Sequence, residues 1–317
     1  MTLEVFRFAL SITAPIFIVL FIGTLLMRLQ VINDAFVASA TKLVFNVTLP
    51  ALLFLNIVTA DVHVRESLGL VGFGVAATLV IYLLLELIIP KLVTPAADRG
   101  VVIQGSFRSN MGIIGLAYCV NAYGEAVYST AAVYLAIVTI AYNVLSVITL
   151  TRWLSASGSV AEISKSVLWG VAKNPLIIAI AAALLVSAMR LPIPPLAIKT
   201  GNYFAQMTLP LALLCAGASL SFKAMGDMKN TLITTIGKLL VAPLLITLAA
   251  VAFGFQGMEL GTIFLMSSAP SASVSYVMAR AMGGNATLAA NAIVMTTLLS
   301  LITTSLGAAL LRAFQLS

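Results

Sequence analysis

The sequence predicts an all-α polytopic membrane protein with ten transmembrane helices, arranged as two inverted repeats of five helices. Three observations lead to this fold class. Of the 317 residues, 61% are hydrophobic and only 9% are charged, whereas soluble domains carry about a quarter charged residues. The apolar residues fall in ten long runs. The order of these runs also repeats once along the chain, at an offset of 160 residues.

The ten apolar runs are the predicted transmembrane segments 1 to 10. Each has roughly 20 residues or more, enough to cross a hydrocarbon core of about 30 Å at 1.5 Å per residue. In chain order the segments are 6–28, 35–59, 67–90, 100–122, 126–150, 166–189, 196–220, 231–254, 258–281 and 287–312.

Basic residues between the segments predict the orientation. Nine follow odd-numbered segments, and five lie at the termini or follow even-numbered segments. Lys42, Arg108 and Lys238 lie inside segments and are left out of this count. By the positive-inside rule, both termini are predicted to face the periplasmic or extracellular side. Because the basic residues are scattered over many connections, the net charge of +7 does not indicate a nucleic-acid partner.

The internal repeat is visible in the prolines and glycines, which begin, kink or end helices. The matched positions are Pro15 with Pro175, 48–50 with 208–210 (TLP in both), and Gly124 with Gly284. Because five is odd, the second half enters the membrane from the opposite side, which gives the inverted repeat typical of secondary transporters. The two repeats are predicted at 1–150 and 166–317, joined by a cytoplasmic linker at 151–165.

Segments 4 and 9 are poor continuous helices, and they occupy matching places in the two repeats. Segment 4 contains GSFRSNMGIIGLAY (105–118), and segment 9 contains MSSAPSASVSYVMAR (266–280). Pro270, which aligns with Asn110, removes a helical hydrogen bond, and Gly112 weakens the first-half counterpart. Glycine and serine also serve plain helix packing. Two breaks at one repeat offset nevertheless point to a binding site between two broken helices.

The polar groups around these breaks predict the chemistry of the site. Glu86 is the one acidic residue that is not at the edge of a segment, but it is still closer to the end of segment 3 than to its centre. The centre instead offers the side chains of Asn110, Ser268, Ser271 and Ser273. It also offers the N-termini of two half-helices, where the amides from Ser271 to Ser273 are expected to lack intrahelical partners and to serve as donors for the anion. Such helix ends attract anions, so a carboxylate is the predicted ligand. No metal or catalytic site is expected.

Three further side chains keep two interpretations each. Arg108 either attracts and pairs with the anion or is held by other groups of the protein. Asn46 in segment 2 and Asn143 in segment 5 either face the cavity or form hydrogen bonds between helices. An intramembrane enzyme is disfavoured, because a single loop histidine, His63, and no central carboxylate supply neither a metal cluster nor an acid–base pair.

Several motifs together resemble the auxin efflux carrier family, which includes bacterial malate and malonate permease-like members and plant PIN-type carriers. They are FRSNMGIIGL, TLPALLF, NPLIIAI, TLPLALLCAGASL and SYVMARAMGG, in this order along the chain. The resemblance implies a fold like that of bile-acid symporters. Segments 1, 2, 6 and 7 would form a scaffold that dimerises, and segments 3–5 and 8–10 a transport domain in which broken helices 4 and 9 cross. Segment 4 has Asn110-Met111-Gly112 where the plant pattern has a proline, so the sharpness of its break is open.

The resemblance also implies a function. The expected protein is a secondary transporter of small carboxylate anions, such as malate, malonate or an indole acetate-like acid. It would work by alternating access in a bacterial inner membrane, as a uniporter or coupled to Na⁺ or H⁺. The substrate carboxylate would lie near Asn110 and Pro270, and no other cofactor is expected. The alternative is a sodium-coupled symporter of larger amphipathic acids, with Na⁺ held by half-helix C-termini.

Overall fold

The computed structural model describes residues 2–59, 64–154, 175–218 and 228–316, and these residues are almost entirely helical. In chain order the α-helices are α1 (Thr2–Arg28), α2 (Asp34–Leu43), α3 (Leu49–Thr59), α4 (Val64–Leu92), α5 (Ala96–Phe107), α6 (Leu116–Tyr123), α7 (Tyr128–Leu154), α8 (Pro175–Ala188), α9 (Pro195–Ala218), α10 (Met228–Ile236), α11 (Ala242–Ala252), α12 (Gly257–Ser268), α13 (Val274–Ala281) and α14 (Ala286–Ala313). The predicted all-α class is confirmed, since the described residues contain no strand beyond one isolated bridge.

Five helical stretches in the described part of the chain are long and apolar enough to cross a membrane. They are Asp34–Thr59, Leu68–Leu92, Thr130–Leu154, Met228–Ala252 and Ala286–Ala313, and they coincide with predicted segments 2, 3, 5, 8 and 10. This confirms a helical membrane protein. Helix α7 runs on to Leu154, so the first four residues of the predicted linker, 151–154, are helical. The rest of the linker, together with 166–174 of segment 6, lies outside the described residues.

Segments 2 and 8 each contain a π-helical turn but remain continuous, whereas segments 4 and 9 are interrupted. In segment 4, α5 ends at Phe107 and a π-turn at Met111–Gly115 leads into α6. Arg108 between them is extended, with φ −82° and ψ 105°, so the break forms without a proline. In segment 9, α12 ends at Ser268 and α13 begins at Val274. The predicted interruption of both segments is therefore present.

The helices pack around these interruptions. Helix α1 packs along α9, and α3 packs against α8 and α9; α4, α5 and α7 pack together, and α5 also contacts α10. The approach of α1 and α9 is closest at Gly217, where a Cβ atom would lie 2.0 Å from the carbonyl oxygen of Leu20. Thr24 Oγ1 donates a hydrogen bond to the Gly217 carbonyl at 2.8 Å. Glycine thus lets two backbones meet, as small residues do between membrane helices.

Candidate binding site at the helix crossing

The two interrupted segments cross at their non-helical residues, 108–110 and 269–273, which are called the crossing below. An isolated antiparallel bridge pairs Ser109 with Ser271. The Asn110 N–H donates to the Pro270 carbonyl at 2.7 Å, and the Ala272 N–H donates to the Arg108 carbonyl at 3.1 Å. Backbone groups freed by the two breaks therefore satisfy each other, which residues buried at membrane depth require.

Arg108 is buried in the crossing, with 4% of its surface exposed. Its Nη2 donates to Asn143 Oδ1 at 2.6 Å, and its Nη1 donates to Ser146 Oγ at 3.0 Å and to the Tyr142 carbonyl at 3.3 Å. Nη1 also lies 3.4 Å from Met278 Sδ. All three oxygen acceptors are on α7, and all are uncharged. The predicted site residues Arg108 and Asn143 are thus brought together, with Asn143 bonding between helices.

Lys238 lies at the same crossing and is almost completely buried, with 1% of its surface exposed. Its Nζ donates to Ser109 Oγ and, at 2.7 Å, to the Ser267 carbonyl oxygen. The sequence analysis set Lys238 aside with the other charges inside segments and missed it as a site residue. The signal was present, because an ionisable residue inside an apolar membrane helix is by default a candidate functional residue.

Arg108 and Lys238 have no carboxylate partner in the described part of the chain. An ion pair outside the crossing joins Arg152 and Glu86 at 3.1 Å. Glu86 also accepts hydrogen bonds from Thr149 and Trp153, so it belongs to a separate cluster. The crossing therefore holds two basic side chains surrounded by neutral dipoles.

The Asn110 side chain differs from its neighbours in having no hydrogen-bond partner among the described residues. Its backbone is fully used, because the carbonyl accepts from the N–H groups of Ile114 and Gly115 at 3.1 and 2.9 Å. The side chain is 8% exposed. An amide with free donor and acceptor capacity thus lies beside the bridge between the two crossing segments.

The amides of segment 9 lack intrahelical partners, as predicted, but two of them are not available to an anion. The Ser271 N–H donates to Thr296 Oγ1 at 3.1 Å, and the Ala272 N–H donates to the Arg108 carbonyl at 3.1 Å. The Ser271 hydroxyl donates to the Gly105 carbonyl at 2.6 Å. Only the N–H of Ser273 lacks a partner among the described residues. Two of the three predicted donors are thus occupied, because segment 4 and α14 supply acceptors that the sequence of segment 9 alone does not reveal.

The remaining predicted residues lie in less distinctive settings. Ser268 donates its hydroxyl to the Leu265 carbonyl within its own helix at 3.3 Å. Asn46 is exposed and donates to the Lys42 carbonyl one turn earlier. A Cβ atom on Gly112 would have only ordinary contacts, the nearest at 3.8 Å. Glycine is therefore not required there by packing, and Asn46 forms no hydrogen bond to the crossing.

A small cavity lies between the crossing and the neighbouring helices. Its volume is about 60 Å³. The lining residues come from segments 2, 4 and 7 and from the start of α13: Thr41, Val44, Phe45, Ile113, Ala212, Cys215, Ala216 and Ser273. Ser273, the residue with the free N–H, thus lines a space against α9 and the π-turn of segment 2.

Interrupted helices that cross at buried charged and polar groups define a class of helical membrane protein typical of transporters. Residues 155–307 match the family model described as Membrane transport protein. This match, over somewhat less than half of the chain, supports the predicted resemblance to the auxin efflux carrier family. No similar curated protein was found for the chain. The match to this family model favours a transporter over an enzyme.

Proposed function

We propose that the protein is a secondary transporter of small organic anions that works by alternating access. The observation that carries this proposal is the pair of buried basic side chains at the crossing, Arg108 and Lys238, neither of which has a carboxylate partner among the described residues. Burial of an uncompensated charge is costly in a membrane. An anionic substrate supplies the missing negative charge each time it binds.

The substrate carboxylate is proposed to bind on the side of the crossing that faces the small cavity. The free N–H of Ser273 lies at the start of α13, where the helix dipole favours negative charge. The unpartnered amide of Asn110 supplies a further donor. A cavity of about 60 Å³ is small beside the roughly 300–1,000 Å³ of typical ligand pockets. Substrate entry therefore requires the helices that line the cavity to separate.

The architecture proposed for this movement has ten membrane-spanning helices in two inverted repeats. Asn110 and Pro270, which the repeat offset aligns, form a hydrogen bond with each other, and this supports the pairing of segments 4 and 9. The proposed scaffold contains α1, α2, α3, α8 and α9, and the proposed transport domain contains α4–α7 and α10–α14. Movement of the second group against the first would expose the crossing to one side of the membrane at a time.

The setting of the transporter is part of the proposal. The proposed location is a bacterial inner membrane, and the distribution of basic residues supports an orientation with both termini periplasmic. A homodimer would form through the scaffold, whose helices carry large exposed apolar side chains such as Phe21, Leu196 and Tyr203. Malate, malonate and indole acetate-like acids are the proposed substrates, carried alone or with Na⁺ or H⁺.

The test is uptake of radiolabelled acids by purified protein in liposomes. Malate, malonate and indole-3-acetate are offered with and without gradients of Na⁺ and H⁺. Arg108→Gln removes one buried cation and should lower uptake at least tenfold. Arg280→Gln is the matched control, because Arg280 is exposed and, among the described residues, bonds only to Tyr276 on its own helix. Absence of uptake of every acid by the wild-type protein, or equal uptake by a folded Arg108→Gln, would refute the proposal.

A further inference from the structure

Lys238 reaches the crossing because its helix approaches α5 unusually closely. A π-turn at Gly237–Val241 connects α10 to α11, and π-turns of this kind often occur at functional sites. A Cβ atom on Gly237 would lie 2.8 Å from Ser106 Oγ, and one on Gly105 would lie 2.6 Å from Thr234 Cγ2. Glycines on both sides of the contact therefore allow the lysine stem to pass into the core of the crossing.

The oxygen atoms that receive the ammonium group are there because α12 ends. In a continuous helix the Ser267 carbonyl would accept from the N–H of residue 271, but that N–H bonds to Thr296 instead, at 3.1 Å. The freed Ser267 carbonyl accepts from Lys238 Nζ and, at 3.1 Å, from Ser109 Oγ. The last carbonyls of a helix carry partial negative charge and favour cations.

Lys238 Nζ contacts a hydroxyl oxygen and a helix-end carbonyl oxygen, one from each crossing segment. Hard cations such as Na⁺ bind oxygen ligands of this kind. We propose that these oxygens belong to a site for a small cation and that the Lys238 ammonium is a tethered cation that fills it, in the place of a coupling ion. The consequence for transport rests on the proposed function: the protein carries its anion without requiring sodium. A tethered cation at this position also disfavours the sodium-coupled symporter that was given above as the alternative.

A purely structural lysine would make the same hydrogen bonds, so the experiment must separate charge from packing. Lys238→Ala removes three methylene groups and the ammonium, and so vacates the site. Lys238→Met fills most of the same space without charge, and so keeps free cations out. The readout is the melting temperature of the purified protein in chlorides of Na⁺, Li⁺, N-methylglucammonium and propylammonium. Propylammonium carries the atoms that alanine lacks.

The expected result is a cation response in the alanine variant alone. With Na⁺ or propylammonium at about five times its dissociation constant, the melting temperature of Lys238→Ala should rise by roughly 2–4 °C over N-methylglucammonium. Wild type and Lys238→Met should not respond. A Lys238→Ala protein that folds only with propylammonium present would support the proposal equally.

Several results would overturn the proposal. They are equal melting temperatures of a folded Lys238→Ala in all four salts, wild-type stability or anion uptake that depends on Na⁺, and a Lys238→Met protein as active as wild type. The Na⁺ dependence of the wild type and the activity of Lys238→Met test the proposal even where Lys238→Ala cannot be purified. The melting temperatures do not depend on transport. A cation response in Lys238→Ala with no anion uptake by wild type would retain the tethered cation and reject the proposed function.

Discussion

Replacement of Asn110 by alanine tests the binding site with little disturbance of the fold. The hydrogen bonds of Asn110 with Pro270, Ile114 and Gly115 all use its backbone, and alanine keeps them. The amide side chain has no partner in the described part of the protein, so its removal leaves no buried group unpaired. We therefore expect the melting temperature of Asn110→Ala to stay close to that of wild type.

The effect on binding should be much larger. The proposed bond from the Asn110 amide to a substrate carboxylate is a hydrogen bond to a charged group, worth about 1.5–3 kcal/mol. Its loss raises the dissociation constant roughly ten- to a hundredfold. Because this bond forms only when the anion is present, the change in affinity should appear without a matching change in stability.

The assay is a thermal-shift titration with malate, malonate and indole-3-acetate, followed by calorimetry for any acid that binds. Asn46→Ala is the matched control, because Asn46 is exposed and donates only to the Lys42 carbonyl of its own segment. This control should bind like wild type. If a folded Asn110→Ala binds the acid with unchanged affinity, Asn110 is a packing residue and the reasoning about the crossing is wrong.

Three other predictions concern neighbouring features. Asn143→Leu removes the 2.6 Å bond to Arg108 and should lower anion affinity roughly ten- to a hundredfold, as for other bonds to charged groups; calorimetry with equal affinities would contradict this. Gly217→Ala should destabilise the protein by about 1–3 kcal/mol through overpacking, seen as a lower melting temperature. Gly72→Ala, which has no atom within 4 Å of the added Cβ, serves as its control. A cysteine introduced at 155–159 should resist impermeant thiol reagents in intact cells, and ready labelling would reverse the proposed orientation.

The apolar runs and the helix-breaking residues predicted the helices well, because both signals lie within a single segment. An apolar run long enough to span the membrane must be helical, since lipid satisfies no backbone groups. Pro270 interrupts its helix for a reason visible in the sequence. The alignment of Asn110 with Pro270 came from the repeat alone, and the two residues form a hydrogen bond.

The contacts between segments were harder to predict. The carbonyl of Ser267 becomes an acceptor for Lys238 only because Thr296, on another helix, takes the amide of Ser271. No sequence pattern within a single segment reveals this change of hydrogen-bond partners. Lys238 was overlooked because the charge count assigned it to no side of the membrane, although its position inside an apolar segment was itself informative.

The bridge between Ser109 and Ser271 has a consequence for biosynthesis. These residues lie about 160 positions apart, and chains are synthesised at about 5–20 residues per second. Segment 4 is therefore synthesised roughly 10–30 s before segment 9. During that time the unwound backbone of segment 4 is already in the membrane without the hydrogen-bond partners that segment 9 supplies. Neither repeat is a finished unit alone. The first half needs a sheltered or hydrated place in the insertion machinery until the second half arrives, and the two halves mature as one.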